Sequence, residues 1–395
     1  MLVQKYRDML SGKSVIRQLS EFATARGQEI GYENVFDYSL GNPSVPVPGE
    51  FTEELMRLLS QGDSCGLHGY SPSLGITSVR EAVAAHLEER WGLPYRKEHI
   101  FMASGAAGAL AHAFRLVARP GDEIVTFAPF FPEYRPYVEL TGAVLRVVPP
   151  DRENFQVDFD RFQEMITEKT AAVLVNTPNN PSGVVYSEET LARLGEILRE
   201  SSARYGHTIY LISDEPYREI VFQGVDQPFV SSFYDDTIMC YSFSKSLSIP
   251  GERIGYVAVN PRCQDAEEMV NMCGQISRGT GHNCPPSLIQ LAVAGVLGRT
   301  ADLSVYETNG KLLYQELTRL GFRCVKPGGT FYIFPKALEE DAKVFCRKAL
   351  DYDLILVPGD TFGAPGYFRM AYCIDTEKVQ RSFEALERFV REVYN

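Results

Sequence analysis

The chain has 395 residues, of which 45% are hydrophobic and 23% are charged, and its formal net charge at pH 7 is -12. This length is too great for one ordinary hydrophobic core, so we expect two domains or one large domain. The acidic balance argues against nucleic acid and against an anionic membrane surface as the main partner.

The opening segment MLVQKYRDML is interrupted by charged residues, so we expect no secretory signal. The most apolar interior segment, LIQLAVAGVLG at 288–298, is too short to cross a bilayer and is predicted to be a buried helix. The eight cysteines are scattered without a C-x-x-C pair, and the six histidines form no H-E-x-x-H motif. These features predict reduced thiols, a cytoplasmic location and no metal site.

From about residue 60 to 285, short apolar runs alternate with amphipathic stretches. Behind Ser187, a predicted N-cap, leucine and isoleucine recur at helical spacing. Apolar strands that alternate with helices predict an α/β fold with a parallel-type sheet covered by helices on both faces. The predicted strands are, in order, HIFMAS (99–104), EIVTFA (123–128), AAVLVN (171–176), TIYLIS (208–213) and TIMCYS (237–242).

After about residue 300 the pattern changes to a long helix, the short strands LILVPG and FRMAYC, and a final helix over 379–394. This order indicates a smaller α+β unit. The first fifty residues, which include the turn-rich segment GNPSVPVPGE, follow neither pattern.

Ligands of open α/β sheets bind in the loops beyond the carboxyl ends of the strands, so those loops hold the candidate site residues. After the first strand, Gly105, Ala106 and Ala107 leave the backbone N–H groups of a helix N-terminus open to an anion. A tight strand-to-helix turn would explain these small residues equally well. After the second strand come Phe130 and Phe131, for which core packing is the alternative.

The third and fourth strands are followed by polar side chains. Asn179 and Asn180 supply amide donors within TPNNPSG, where a turn alone would explain the prolines and the glycine. Asp214 and Tyr217 follow the fourth strand at a spacing that lets both side chains face one point. An aspartate in this position is as readily a helix N-cap.

The fifth strand is followed by SFSKSLSIPGER, with Lys245 among serines and Arg253 eight residues later. In isolation, Lys245 would be interpreted as a solvated surface residue. Together, however, these strand-end residues fit pyridoxal phosphate (PLP). Its aldehyde needs a lysine amine, and its pyridine nitrogen needs a carboxylate. Its ring oxygen needs donors such as Tyr217 and Asn180, and its phosphate suits a guanidinium.

The motif S-x-S-K-x7-R, present as Ser242, Ser244, Lys245 and Arg253 and followed by IGY, resembles the signature of fold-type I PLP enzymes of the class I/II aminotransferase family. The element D-E-x-Y, which begins at Asp214, and the element N-P-S-G, which begins at Asn180, also match this family. The resemblance runs nearly end to end. It implies a mostly parallel seven-stranded-type sheet in a large domain, plus a smaller α+β domain.

The resemblance also implies roles for these residues. Lys245 would carry the cofactor as a Schiff base, while Ser242, Ser244 and Arg253 would hold its phosphate. Asp214 would pair with the pyridine nitrogen. Tyr217 and Asn180 would be the ring-oxygen donors, and Asn180 would also border the substrate.

Further positions match the family less specifically. Phe131 matches the aromatic residue that stacks on the cofactor ring, and the loop SGAAGAL matches the phosphate loop, with Ala106 and Ala107 where a hydroxyl residue is often found. Arg369 in FRMAYC matches the arginine that binds the substrate α-carboxylate. Gly41 in SLGNPS resembles the glycine whose backbone lies against the substrate. Tyr70 in GYSPSLG resembles the tyrosine that reaches the cofactor phosphate of a neighbouring subunit, which implies a homodimer.

The resemblance predicts three parts of the chain. These are an N-terminal segment (1–55) that contributes to the small domain and the active site, a large PLP-binding domain (56–290) and a small C-terminal domain (291–395). It implies ping-pong exchange of an amino group between an L-amino acid and a 2-oxo acid. A PLP-dependent carbon–sulfur β-lyase and a non-catalytic amino-acid sensor are the alternatives. Unranked candidates for contact with the substrate side chain are Tyr32, Val45, Cys65, His68 and Arg278.

Overall fold

The computed structural model describes residues 2–11 and 14–394. Three sheets organise these residues: a large one with seven strands, a small one with three, and a two-stranded pair. The strands are β1 (Phe36–Asp37), β2 (Ile100–Ala103), β3 (Glu123–Phe127), β4 (Val144–Val148), β5 (Thr170–Asn176), β6 (Tyr210–Asp214), β7 (Thr237–Ser242), β8 (Gly255–Val259), β9 (Tyr332–Ile333), β10 (Leu354–Ile355), β11 (Val357–Pro358) and β12 (Phe368–Ala371).

Helices surround these sheets. The α-helices are α1 (Gln4–Ser11), α2 (Val15–Ile30), α3 (Gly49–Gln61), α4 (Ser64–His68), α5 (Thr77–Trp91), α6 (Gly105–Val117), α7 (Tyr134–Glu139), α8 (Phe159–Met165), α9 (Glu188–Tyr205), α10 (Phe243–Ser246), α11 (Ala266–Thr280), α12 (Ser287–Ala294), α13 (Ser304–Arg319), α14 (Ala342–Ala349) and α15 (Thr376–Tyr394). One-turn 3-10 helices are Tyr32–Asn34, Lys97–His99, Val230–Ser232, Pro250–Glu252, Leu350–Tyr352 and Gly359–Phe362.

The seven-stranded sheet has the order β2-β8-β7-β6-β5-β3-β4. Only β8 runs against its neighbours, since it pairs antiparallel with β2 and β7 while the other pairs are parallel. The predicted α/β class with a mostly parallel seven-stranded sheet is therefore confirmed. The carboxyl ends of the parallel strands lie along one edge of this sheet, where ligands of such folds bind.

Helices cover both faces of this sheet, because its strands are apolar on both faces. Helices α6 and α11 pack on one face. Helices α5, α8, α9 and α12 pack on the other. Helix α9 begins as predicted, with the Ser187 hydroxyl accepting a hydrogen bond from the Thr190 N–H at 3.1 Å. Its apolar stripe, including Leu191 and Leu194, is buried against the sheet.

The C-terminal part has the predicted α+β character. Strands β11, β12 and β9 form an antiparallel sheet that shares a core with α13, α14 and α15. The predicted strand LILVPG divides between two sheets, since β10 pairs with β1 and β11 pairs with β12. The β1–β10 pairing joins the N-terminal segment to the C-terminal part.

Some elements were not predicted from the sequence. Strand β4 lies at the edge of the large sheet and leaves Val144 exposed. Strand β8 begins two residues after Arg253, and its residues were interpreted as part of the phosphate motif. The apolar segment at 288–298 does form a buried helix, α12, although this helix ends at Ala294. Among the described residues, no helix has both the length and the apolar character that crossing a bilayer requires.

Candidate active site

A cavity of about 270 Å³ lies beyond the carboxyl ends of β5, β6 and β7. The large sheet, the N-terminal segment and the C-terminal part all contribute to its wall. The predicted site residues that line it are Gly41, Ala106, Ala107, Phe131, Asn180, Asp214, Tyr217, Ser242, Ser244, Lys245, Arg253 and Arg369.

Two predicted residues do not line this cavity. Gly105 lies just behind it with φ of +73°, and a Cβ atom there would be 3.0 Å from Nη2 of Arg253. The positive φ and the close guanidinium both favour glycine at this turn. Tyr70 is fully exposed and lies outside the cavity of its own chain, so its action on a neighbouring subunit stays a prediction.

The Lys245 amine is half-buried and donates a hydrogen bond to the Gly41 carbonyl at 2.8 Å. Burial lowers the pKa of Lys245 to about 8, and the guanidinium groups of Arg253 and Arg369 act in the same direction. An amine with this pKa is partly neutral near pH 7 and can act as a nucleophile or a base. This environment differs from that of a solvated surface lysine.

Asp214 ends strand β6 and is buried. Burial raises the pKa of Asp214 to about 7, although the Tyr134 hydroxyl donates to Oδ2 at 2.5 Å and lowers it. The other oxygen, Oδ1, is buried without a hydrogen-bond partner in the described part of the chain. A cationic N–H donor is what this oxygen lacks, and the pyridinium nitrogen of PLP is such a donor.

Donors for an anion gather in one part of the cavity wall. Ser242 and Ser244 are buried with their hydroxyl oxygens 2.7 Å apart. The guanidinium of exposed Arg253 donates to the carbonyls of Pro250 at 2.9 Å and Ser104 at 3.3 Å, and it forms no ion pair among the described residues. The N-terminus of α6, which has no acidic residue in its first turn, borders the same region. This donor set suits a phosphate.

Arg369, in β12, is 2% exposed. It donates from Nη1 to the Asn180 side-chain oxygen at 3.0 Å and from Nη2 to the Ser39 carbonyl. Burial lowers the pKa of Arg369, while the Asp37 carboxylate acts on it in the opposite direction from a distance, and within residues 2–11 and 14–394 no carboxylate forms an ion pair with it. A buried guanidinium without a directly paired carboxylate suits the carboxylate of a ligand.

The bond from Arg369 also fixes the Asn180 amide, whose oxygen faces the guanidinium. Its Nδ2 donor is therefore left for another acceptor. Asn176 holds this loop in place, because its side chain accepts from the Asn180 N–H at 2.7 Å and donates to the Asp214 carbonyl at 2.8 Å.

The sequence did not predict several residues that matter here. Tyr134 is the hydroxyl donor to Asp214, and it lies within the segment PFFPEY, where the sequence drew attention only to the phenylalanines. Tyr332 lines the cavity with its hydroxyl 3.0 Å from that of Tyr217. A signal existed for Asn176 alone, since it ends a predicted strand. The other lining residues not predicted are Ile16, Leu40, Leu110, Tyr137, Pro216 and Pro250.

Five residues were considered as contacts for a substrate side chain. In the described single chain, none of them lines this cavity. Val45 is buried in the core of the C-terminal part, and Arg278 is exposed on α11 with its guanidinium 3.3 Å from the Gln275 side chain. Tyr32, Cys65 and His68 are exposed.

Comparison with known proteins finds the family that the sequence resembles. A family model described as "Aminotransferase class I and II" matches residues 33–386. Aspartate aminotransferase of Thermotoga maritima is 29% identical over 391 residues, which cover 95% of this chain and 99% of that protein. Aromatic-amino-acid aminotransferase 2 of Thermococcus litoralis is also 29% identical, with 96% of each chain covered. The crystal structure of an aminotransferase from Eubacterium rectale matches with a TM-score of 0.97 at 43% identity and covers 100% of both chains.

The fold and the cavity thus define a PLP enzyme of fold type I, and the buried oxygen of Asp214, the lysine amine and the anion-binding donors all fit this cofactor. Within that class, the chain belongs to the class I and II aminotransferase family and is a PLP-dependent transaminase. The comparisons support transamination and not the carbon–sulfur lyase that the sequence left open.

Proposed function

We propose that this transaminase exchanges the amino group between an L-amino acid and a 2-oxo acid by a ping-pong mechanism, with Lys245 holding PLP through a Schiff base. One observation carries this proposal. The low-pKa amine of Lys245 shares a cavity with the unpaired Asp214 oxygen and the guanidinium of Arg369. These are the nucleophile, the cofactor partner and the carboxylate site that amino-group exchange requires.

Lys245 also moves the proton. Whenever Nζ is not bonded to the cofactor, its hydrogen bond to the Gly41 carbonyl would hold it in the cavity. With a pKa of about 8, the amine is neutral in a useful fraction of molecules near neutral pH. Neutral Nζ would accept the proton from the substrate α-carbon and deliver it to the cofactor carbon.

Asp214 would hold the pyridine nitrogen protonated through the oxygen that has no partner among the described residues. When bound, the cofactor supplies an electron sink for the pair released at the substrate α-carbon. Tyr134 fixes the orientation of the carboxylate. The hydroxyl of Tyr217 and the free Nδ2 of Asn180 would serve as donors to the ring oxygen, and Phe131, which lines the same cavity, would border the ring.

Arg369 binds the α-carboxylate of the substrate. Asn180 and Ser39 occupy two of its donor directions, and Nε has no partner among the described residues. Gly41 lines the same side of the cavity. Ser242 and Arg253 would hold the phosphate, together with the backbone N–H groups at the N-terminus of α6.

We further propose that the chain acts in the cytoplasm as a homodimer. Support for the dimer comes from Tyr70, an aromatic residue that lies fully exposed and outside its own cavity. The three-part division stays part of this proposal: the β1–β10 pairing supports a contribution of the N-terminal segment to the small domain, whereas residues 55 and 290 themselves lie inside helices α3 and α12. The names of the relatives make aspartate and aromatic amino acids the first substrates to test.

The reaction is tested with the purified holoenzyme and single amino acids. We expect bleaching of the visible cofactor band together with one equivalent of 2-oxo acid, and recovery of the band when a 2-oxo acid is added. Release of ammonia and pyruvate from a cysteine conjugate, without recovery, would contradict the proposal.

The attachment site is tested by borohydride reduction and peptide mapping. We expect the reduced label on Lys245 and none in the Lys245→Ala variant. Lys169 is exposed and provides a matched control, since Lys169→Ala should keep the label. A label on any other lysine would refute the assignment.

A further inference from the structure

We propose that Tyr332 is a positioning residue that contacts both Tyr217 and Arg369. It thereby connects the donor to the cofactor ring oxygen with the site of the substrate carboxylate. The inference rests on the proposed roles of Tyr217 and Arg369. Tyr332 itself lies in β9, where it pairs with Ala371 of β12, and it is 3% exposed. It therefore extends from the C-terminal part into a cavity formed mainly by the large sheet.

Its hydroxyl contacts Tyr217. The two phenolic oxygens are 3.0 Å apart, and either can donate. When Tyr217 donates its proton to a ring oxygen, its own oxygen can only accept, so Tyr332 becomes the donor of this bond. A hydroxyl that accepts a hydrogen bond is a stronger donor itself. Tyr332 thus strengthens the bond from Tyr217 and fixes its direction.

Its ring contacts Arg369. The guanidinium carbon lies 4.7 Å from the centroid of the Tyr332 ring, and the Phe362 ring lies at 4.9 Å. Because this guanidinium is buried without a carboxylate partner in the described chain, the two aromatic rings are important for holding its charge in place. Loss of the Tyr332 ring would loosen the site of the substrate carboxylate.

A third contact reaches Lys245 indirectly. A Cβ atom added to Gly41 would overlap the Tyr332 hydroxyl, so this hydroxyl explains why residue 41 has no side chain. The Gly41 carbonyl in turn accepts from the Lys245 amine at 2.8 Å. One tyrosine therefore packs against three elements of the proposed mechanism.

Two substitutions separate the hydroxyl from the ring. Tyr332→Phe removes the bond to Tyr217 and keeps the ring over Arg369, whereas Tyr332→Leu removes both. The first measurement is the pH midpoint of the visible absorbance change of the bound cofactor, which reports on donors to the ring oxygen. The second is the KM of the amino acid substrate, which reports on the carboxylate site.

We expect Tyr332→Phe to raise the pH midpoint by a few tenths of a pH unit, because a weaker donor stabilises the ring-oxygen anion less. Tyr217→Phe should raise it further, and adding Tyr332→Phe to that variant should cause no additional shift. Tyr332→Leu should raise KM about five- to thirtyfold, and Tyr332→Phe much less.

The outcomes distinguish this inference from the proposed function. If Tyr217→Phe shifts the midpoint and Tyr332→Phe does not, the positioning role is refuted while the role of Tyr217 stands. If the two shifts add in the double variant, Tyr332 acts independently of Tyr217 and the inference is also refuted. If Tyr217→Phe itself causes no shift, the proposed role of Tyr217 is wrong, and the inference falls with it.

Discussion

The ionised side chain of Asp214 should lower the free energy of unfolding of the cofactor-free protein. Asp214→Asn should remove this destabilisation. The pKa of Asp214 is raised from 3.8 to about 7 in the fold, chiefly by burial. At about 1.4 kcal/mol per pH unit, ionising this buried carboxylate costs about 4 kcal/mol of unfolding free energy. The folded chain binds the proton more tightly, so this cost is absent below pH 4, grows as pH rises and is complete above pH 7.

The measurement is urea-induced unfolding of cofactor-stripped protein at pH 5 and pH 8. We expect the stability advantage of Asp214→Asn over the unsubstituted chain to grow by about 2 to 3 kcal/mol between these pH values. Asp226 is exposed, and Asp226→Asn should show no such growth. PLP should reverse the order at pH 8, because the ionised carboxylate then has its partner.

An advantage that stays constant between pH 5 and pH 8 would refute the reasoning, since a steric or packing effect of asparagine does not depend on pH. An unchanged affinity of Asp214→Asn for PLP would separately contradict the pairing of this carboxylate with the cofactor.

Three further substitutions test other contacts. Tyr134→Phe removes the hydroxyl that donates to Asp214. Because a hydrogen bond to a buried charge contributes about 1.5–3 kcal/mol, the affinity for PLP should fall about 10- to 150-fold, as measured by fluorescence titration. Tyr38→Phe is the control, because it also removes a buried hydroxyl. That hydroxyl lies outside the cavity, 2.6 Å from the hydroxyl of Ser382, so the affinity for PLP should not change. Arg369→Lys keeps the charge but loses the planar guanidinium, so kcat/KM for an amino acid should fall about 10- to 100-fold. Reaction with an amine that lacks a carboxylate should fall much less, since it loses only the bond that fixes Asn180. Equal losses for both would contradict the carboxylate role. Lys245→Ala should slow the half-reaction at least about 100-fold, with partial recovery on adding methylamine as an external base, and a variant that retains activity would exclude Lys245 as the proton carrier.

The sequence by itself determined the class of fold and most of the cavity wall. Asp214 and Lys245 could be predicted because they follow consecutive apolar strands, and parallel strands bring their carboxyl ends to one edge of a sheet. Arg369 could be predicted only through resemblance to a family, since nothing local in FRMAYC indicates a ligand. The small second unit was also predictable, from the change in pattern after residue 300.

Only the tertiary structure decided how these groups act on each other. Tyr134 and Tyr332 belong to segments that sequence patterns do not distinguish from core: one begins a six-residue helix and the other a two-residue strand. They matter because their hydroxyls form hydrogen bonds to Asp214 and Tyr217, respectively. These contacts exist only because elements far apart in the chain pack together. The pKa values of Lys245 and Asp214 have the same origin, because both are displaced mainly by burial, which exists only once the N-terminal segment, the large sheet and the C-terminal part close around one cavity.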